Sequence, residues 1–204
     1  MKRLDQRVAI ITGGAGGIGS AASRLFASEG ATVVVADLDR KNGEPLEREI
    51  RAAGGKCYFR FCDVSDSASV QETIAFCEKE LGGLDVLYNN ASVYWAKKDG
   101  PVTEIDEEVW EKVMGINLRS VFLFSKYSIP LMKKRGKGAI VNTASSAGMI
   151  GIPNCDAYTA TKGATVQLTK SMAAESGPSF NFLYTLSTEF NCSFSSSSIK
   201  GHTI

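Results

Sequence analysis

The sequence predicts an α/β protein: a parallel β-sheet with helices packed on both faces. Short runs rich in Val and Ile alternate with longer helix-like segments from Val8 to Glu175. Those apolar runs are nearly continuous rather than alternating, as expected of strands buried on both faces. The first run also leads straight into a glycine cluster that opens a helix, the start of a βαβ unit.

The elements follow in order. VAIIT (Val8 to Thr12) is the first strand, and a helix near Ile18 to Glu29 follows the glycines. TVVVAD (Thr32 to Asp37) is the second strand, followed by a charged helix over about Lys41 to Ala53 that Gly54-Gly55 ends. CYFRFC (Cys57 to Cys62) is the third strand. The next helix, Ser67 to Leu81, has Asp66 as its N-cap and Gly82-Gly83 as its stop. LDVLYNN (Leu84 to Asn90) is the fourth strand, Asp106 to Lys134 a long helical region, and GAIVNTAS (Gly138 to Ser145) the fifth strand. A last helix spans about Asp156 to Glu175. FNFLYTL (Phe180 to Leu186) is a candidate sixth strand, and a Ser-rich low-complexity end follows it.

A chain of 204 residues with 44% hydrophobic content suits one domain with a substantial core. Twenty-three Lys plus Arg against 22 Asp plus Glu leave a net charge of +1, which offers no footprint for nucleic acid. The basic cluster Lys133 to Lys137 reads as a solvated helix end, where cations suit the dipole. The five cysteines include no CxxC pair, so neither a zinc site nor a disulfide framework is indicated. Reduced thiols in a cytoplasmic protein are expected. The charged start and the short apolar run Val8 to Ile11 suit neither a signal peptide nor a membrane span.

A parallel sheet of this kind binds ligands at the carboxyl ends of its strands. There the first turn reads Thr12-Gly13-Gly14-Ala15-Gly16-Gly17-Ile18-Gly19. Glycines allow a tight turn and let backbone amides approach a pyrophosphate, while the next helix offers free N–H groups. Two registers fit: Gly14-x-Gly16-x-x-Gly19 and Thr12-Gly13-x-x-x-Gly17-x-Gly19. Asp37 ends the second strand. A carboxylate there accepts hydrogen bonds from an adenosine ribose and repels a 2′-phosphate, which favours NAD over NADP. Arg40, close by in sequence, keeps NADP open.

Tyr158 and Lys162 stand four residues apart, on one face of the last helix. A free phenol has a pKa of about 10. To act as a base near neutrality it must fall by roughly three units, about 4 kcal/mol of differential stabilisation. A nearby ammonium shifts it in that direction, and the lysine can also hold ribose hydroxyls. Ser145, at the end of the fifth strand, can orient a carbonyl or alcohol oxygen beside the tyrosine. The chain's one histidine, His202, is far from all of this, so a histidine base or a zinc-dependent dehydrogenase is not indicated, and no metal is expected.

TGxxxGIG at Thr12 to Gly19, NNA at Asn89 to Ala91, IN at Ile116-Asn117, Ser145, and YxxxK at Tyr158 to Lys162 together resemble the short-chain dehydrogenase/reductase family, over about Arg3 to Glu175. The resemblance implies a Rossmann-type doubly wound sheet in three α/β/α layers and NAD(P)-dependent interconversion of a secondary alcohol and a ketone. It implies that Tyr158 is the acid/base, that Lys162 lowers its pKa and binds the nicotinamide ribose, and that Ser145 positions the substrate oxygen. Asn117 would hold a water relaying protons to Lys162. Gly13, Gly17, Ile18, Gly19, Asp37, Asp63, Val64 and Asn90 would bind the cofactor with Tyr158 and Lys162. Ser92 departs from the glycine usual in that motif. The family also implies a homo-oligomer, paired through the segments Asp106 to Lys134 and Asp156 to Glu175. Val109, Trp110, Val113, Val121, Phe122 and Phe124 would supply its apolar surface.

The expected domain is residues 1–178, and residues 179–204 are expected to form an atypical tail. Thr188-Glu189 stands where the family has Pro-Gly, and too few residues follow for the usual lid and last strand. Two function classes are therefore expected: an active NAD-dependent oxidoreductase, or a variant that binds dinucleotide with little or no catalysis.

Overall fold

The computed structural model describes residues 2–176 and 183–186. Six strands form one parallel sheet: β1 (Val8–Thr12), β2 (Thr32–Asp37), β3 (Lys56–Phe61), β4 (Val86–Asn89), β5 (Ala139–Thr143) and β6 (Leu183–Leu186). Their spatial order is β3-β2-β1-β4-β5-β6, so the order reverses between β1 and β4. In such sheets the crevice at that reversal is where ligands bind. The helices are α1 (Gly17–Ser28), α2 (Arg40–Ala52), α3 (Ser67–Leu81), α4 (Glu107–Met114), α5 (Ser120–Lys134) and α6 (Asp156–Ser176).

Strand alternation divides the core in two. Val8 and Ile10 of β1 join Val34, Leu87 and Ile140, packing against Val70, Ile74, Phe124 and Met132 of α3 and α5. Ala9 and Ile11 join Val33, Val35 and Tyr88, packing against Ala27, Leu46 and Ile50 of α1 and α2. Burying each such aliphatic side chain is worth about 1.5–3 kcal/mol, which is why the apolar runs are continuous.

The predicted caps of α3 are present. The Asp66 carboxylate accepts from Ser69 N, and Gly82 closes the helix at φ 76°. One expectation changes: β4 starts at Val86 rather than Leu84, and the Asp85 carboxylate accepts from Val8 N at 2.9 Å, aligning the start of β1. The long helical region is helical from Glu107 to Lys134, with a π-helical turn, Gly115–Arg119, between α4 and α5. β6 pairs with β5 from Ile140↔Leu183 to Thr143↔Leu186, inside the predicted Phe180 to Leu186 run. The 178/179 boundary, Thr188-Glu189 and the Ser-rich end lie outside the described residues.

Val113, Val121 and Phe124 correct the expected oligomer surface. They are 0%, 4% and 0% exposed and fill this chain's own core, leaving Phe122 as the large exposed apolar residue of that set. The four described cysteines are free and buried. Burial pushes the thiols of Cys57 and Cys77 up to about 12, so they behave as apolar filling. Among the described residues, no helix is long and apolar enough to cross a membrane.

Candidate active site

The carboxyl ends of β1, β2, β4 and β5 surround a cleft of about 780 Å³. At one end lies the glycine turn. Gly13 has φ +61°, and a Cβ there would sit 2.9 Å from Ala91 Cα. A Cβ on Gly19 would come within 2.0 Å of Gly13 O, so this turn closes only with glycine at both positions. Gly17 differs: a Cβ there meets nothing within 4 Å, and the residue lines the cleft. Gly16, the N-cap of α1, offers no side-chain cap, so no side chain competes at the cap for the first-turn amides. Those donors and the helix dipole fit a pyrophosphate.

The turn is laced to its neighbours. Asn90 Nδ2 donates to Thr12 O at 3.1 Å and Gly13 O at 3.3 Å. Thr12 Oγ1 accepts from Asn90 N and Ala91 N, each at 3.0 Å. Asp37 lines the cleft and also holds the turn: Oδ2 accepts from Ala15 N and Oδ1 from Asp39 N, both at 3.0 Å. Asp63 folds its own turn, accepting from Ser65 N and Oγ, and with Val64 lines the cleft wall. The ten residues expected to bind a dinucleotide, Tyr158 and Lys162 among them, all line this one cleft. Its donor set and shape therefore fit that group.

At the other end α6 carries Tyr158 and Lys162. This helix is tied to the sheet by small and polar contacts. Asn142 Nδ2 donates to Thr169 Oγ1 at 2.8 Å, and Asn89 Nδ2 to Asn142 Oδ1 at 2.8 Å. Gly148, in the turn after Ser145, lies so close to α6 that a Cβ would meet the Lys162 carbonyl carbon and oxygen at 2.7 Å. Lys162 is 3% exposed, and its Nζ donates to Thr143 O at 2.9 Å. Burial without a carboxylate partner brings its ammonium down to about 8.

Tyr158 runs against expectation. Burial raises its pKa, and the hydrogen bond with Ser145 only partly opposes that rise. The amine sits 5.5 Å from the centre of the tyrosine ring, over its face, and its hydrogen bond goes to Thr143 rather than to the phenol. Ser145 is buried, accepts from Ala147 N at 3.2 Å, and lies near enough to the phenol to lower its pKa. Asn117 lies in the π-helical turn, a feature common at functional sites. Its Oδ1 accepts from Val93 N at 2.8 Å. Its Nδ2 donates to Val93 O at 2.9 Å and Thr161 Oγ1 at 3.3 Å. These side-chain bonds hold the loop after β4 in place.

Two residues of that loop complete the site. Tyr94 lines the cleft, with its ring centre 5.0 Å from that of Tyr158. Asp99 had no sequence signal, since Lys97-Lys98-Asp99-Gly100 reads as an ordinary turn. It is 7% exposed and accepts from Ala157 N at 3.1 Å and Tyr158 N at 2.9 Å.

This combination of glycine turn, parallel sheet and Ser-Tyr-Lys cluster defines a dinucleotide-dependent oxidoreductase class. The chain belongs to the short-chain dehydrogenase family, whose family model matches residues 7–180. It is 38% identical over 178 residues to a cyclopentanol dehydrogenase of Comamonas sp. (strain NCIMB 9872), covering 87% of this chain and 70% of that one. It is 39% identical over 175 residues to a 3beta-hydroxysteroid dehydrogenase of Mediterraneibacter gnavus, covering 86% and 62%. The crystal structure of a short chain dehydrogenase from Mycobacterium smegmatis superposes with a TM-score of 0.86 at 28% identity, covering 93% of this chain and 79% of that one.

Proposed function

We propose that this chain is an NAD-dependent oxidoreductase that interconverts a cyclic secondary alcohol and its ketone. The observation that carries the reading is the Tyr158–Lys162 pair, set at the far end of the same cleft as the glycine turn and Asp37, with Ser145 near enough to the phenol to lower its pKa. When bound, the dinucleotide supplies the hydride acceptor or donor. Gly17 and Ile18 would hold its pyrophosphate, Asp37 its adenosine ribose, and Asp63 and Val64 its adenine. Lys162 would hold the nicotinamide ribose.

Ser145 holds the substrate oxygen, and Tyr158 gives that oxygen a proton in the reductive direction or takes one in the oxidative direction. With its pKa raised, the phenol is protonated at neutral pH, the form that delivers a proton to a ketone oxygen. The ring-alcohol preference is supported by the names of the two relatives. It is also supported by apolar side chains exposed beside the site: Tyr94 in the cleft wall, and Met149 and Ile150 just beyond the Ser146–Gly148 turn.

The test is an NADH fluorescence titration with turnover of cyclopentanol and cyclopentanone. Binding with turnover supports the proposal. The position of the Lys162 amine, turned to Thr143 rather than the phenol, favours a second reading, a dinucleotide-binding member with little catalysis; binding without turnover would establish that instead.

A further inference from the structure

Three helices have first-turn amides taken by an aspartate carboxylate, but not in the same way. Asp39 and Asp66 cap α2 and α3 from the position just before each helix. At α6 the amides of Ala157 and Tyr158 are taken by Asp99, from the loop between β4 and α4. The same carboxylate accepts from Gly100 N at 2.9 Å. A second pair of bonds runs beside it: Asp156 N donates to Gly100 O at 3.2 Å, and Val102 N to Asp156 Oδ2 at 2.8 Å. A buried carboxylate is costly unless it is hydrogen-bonded, and here three amides meet that need. It takes part in no ion pair among the described residues.

A local cap satisfies a helix end. A remote cap also fixes that end against another element. The loop that carries Asp99 is clamped a second time, at Val93, by Asn117. Between the two clamps the Tyr94 ring leans on the Tyr158 ring. We propose that Asp99 is a positioning residue for Tyr158: its carboxylate fixes the first turn of α6 against the loop after β4 and so sets where the phenol stands beside Ser145. One of the bonded amides is Tyr158's own, so any movement of the clamp passes directly to the phenol. A misplacement of one ångström can cost about a hundredfold in rate. The inference rests on the reading of Tyr158 as the acid/base.

The test compares Asp99→Ala and Asp99→Asn with Asp66→Ala, a control that removes the 2.8 Å cap bond to Ser69 N on α3. Three readouts are taken: the 13Cζ resonance of Tyr158 in tyrosine-labelled protein, assigned with Tyr158→Phe; NADH affinity; and kcat and KM for cyclopentanol. Asp99→Ala should move the Tyr158 resonance and lower kcat at least about tenfold while leaving NADH affinity within about threefold. Asp99→Asn keeps one acceptor oxygen and should recover part of the loss. Asp66→Ala should lose melting temperature with the resonance unmoved and kcat within about twofold. An unmoved Tyr158 resonance in Asp99→Ala overturns the proposal; if that variant does not fold, Asp99→Asn decides by the same criterion. A moved resonance in a parent protein that turns over no alcohol would leave the clamp standing and remove the acid/base reading.

Discussion

Lys162 and Tyr158 lie one helical turn apart, but their polar ends do not meet. The ammonium is 5.5 Å from the centre of the phenol ring and donates to Thr143 O at 2.9 Å. Lys162 is buried and Tyr158 half-buried, and burial disfavours both charged forms. The lysine is pulled down to about 8 and the tyrosine is pushed up.

The lysine shift has a definite consequence for stability. The unfolded chain holds its Lys162 proton up to about pH 10.4, whereas the native state releases it near 8. Between those values the unfolded state binds more protons, so native stability rises with pH across that window. The shift corresponds to roughly 3 kcal/mol of destabilisation below pH 8. Urea melts of the parent and Lys162→Met at pH 7, 8, 9 and 10 measure it. The parent should gain on the variant up to pH 10, above which the raised Tyr158 pKa acts in the opposite direction. A difference independent of pH would show that the amine is not buried as a cation.

Tyr158→Phe should remove turnover while keeping NADH affinity within a few-fold. The phenol is the group proposed to move the proton, and positioned acid/base groups contribute about 10²–10⁴ in rate. Its ring remains to pack against Tyr94. Steady-state kinetics with cyclopentanone and a fluorescence titration check both halves; parental turnover in the variant would exclude the mechanism.

Most of the sheet and the glycine turn at one end of the cleft were legible in the sequence because they depend on local signals. Continuous Val/Ile runs announce buried parallel strands, and Gly13 and Gly19 are required by contacts within or beside their own turn. What the sequence concealed depends on tertiary contact. Asp99 looks like a turn residue until α6 is seen to begin against it. Val113, Val121 and Phe124 read as surplus apolar surface because a helix does not declare how many of its faces its own chain will cover. The tyrosine–lysine spacing correctly puts both residues on one face, but spacing carries no information about burial, which reverses the expected direction of the tyrosine shift.

Asp37→Ala tests cofactor choice, with a complication that the structure adds. Losing the carboxylate removes repulsion of a 2′-phosphate, so the preference for NADH over NADPH should narrow. It also removes the acceptor for Ala15 N, one of the bonds that shape the glycine turn. Affinity for both cofactors should therefore fall. Paired titrations with NADH and NADPH distinguish this from simple relief of repulsion, which would tighten NADPH alone. Tighter NADPH than NADH binding in the parent would refute the choice of NAD.

Gly148 and Gly163 give opposite expectations for the same change. A Cβ on Gly148 would meet the Lys162 carbonyl carbon and oxygen at 2.7 Å and Gly163 N at 3.0 Å. These are backbone atoms and cannot rotate aside, so either the turn after Ser145 or α6 must move. Such overpacking costs about 1–3 kcal/mol, and it separates the element that carries Ser145 from the one that carries Tyr158 and Lys162. A Cβ on Gly163 has its nearest neighbour, Gly148 O, at 3.7 Å, an ordinary contact. Alanine is a better helix former than glycine by about 0.8–1.0 kcal/mol. Gly148→Ala should therefore lower both the melting temperature and turnover, while Gly163→Ala should raise the melting temperature and leave turnover near the parent's. At about 2–4 °C per kcal/mol for a chain of this size, both shifts are measurable by thermal melts. A Gly148→Ala variant that melts with the parent and turns over at its rate would show that the close approach of the turn to α6 does not hold the site together.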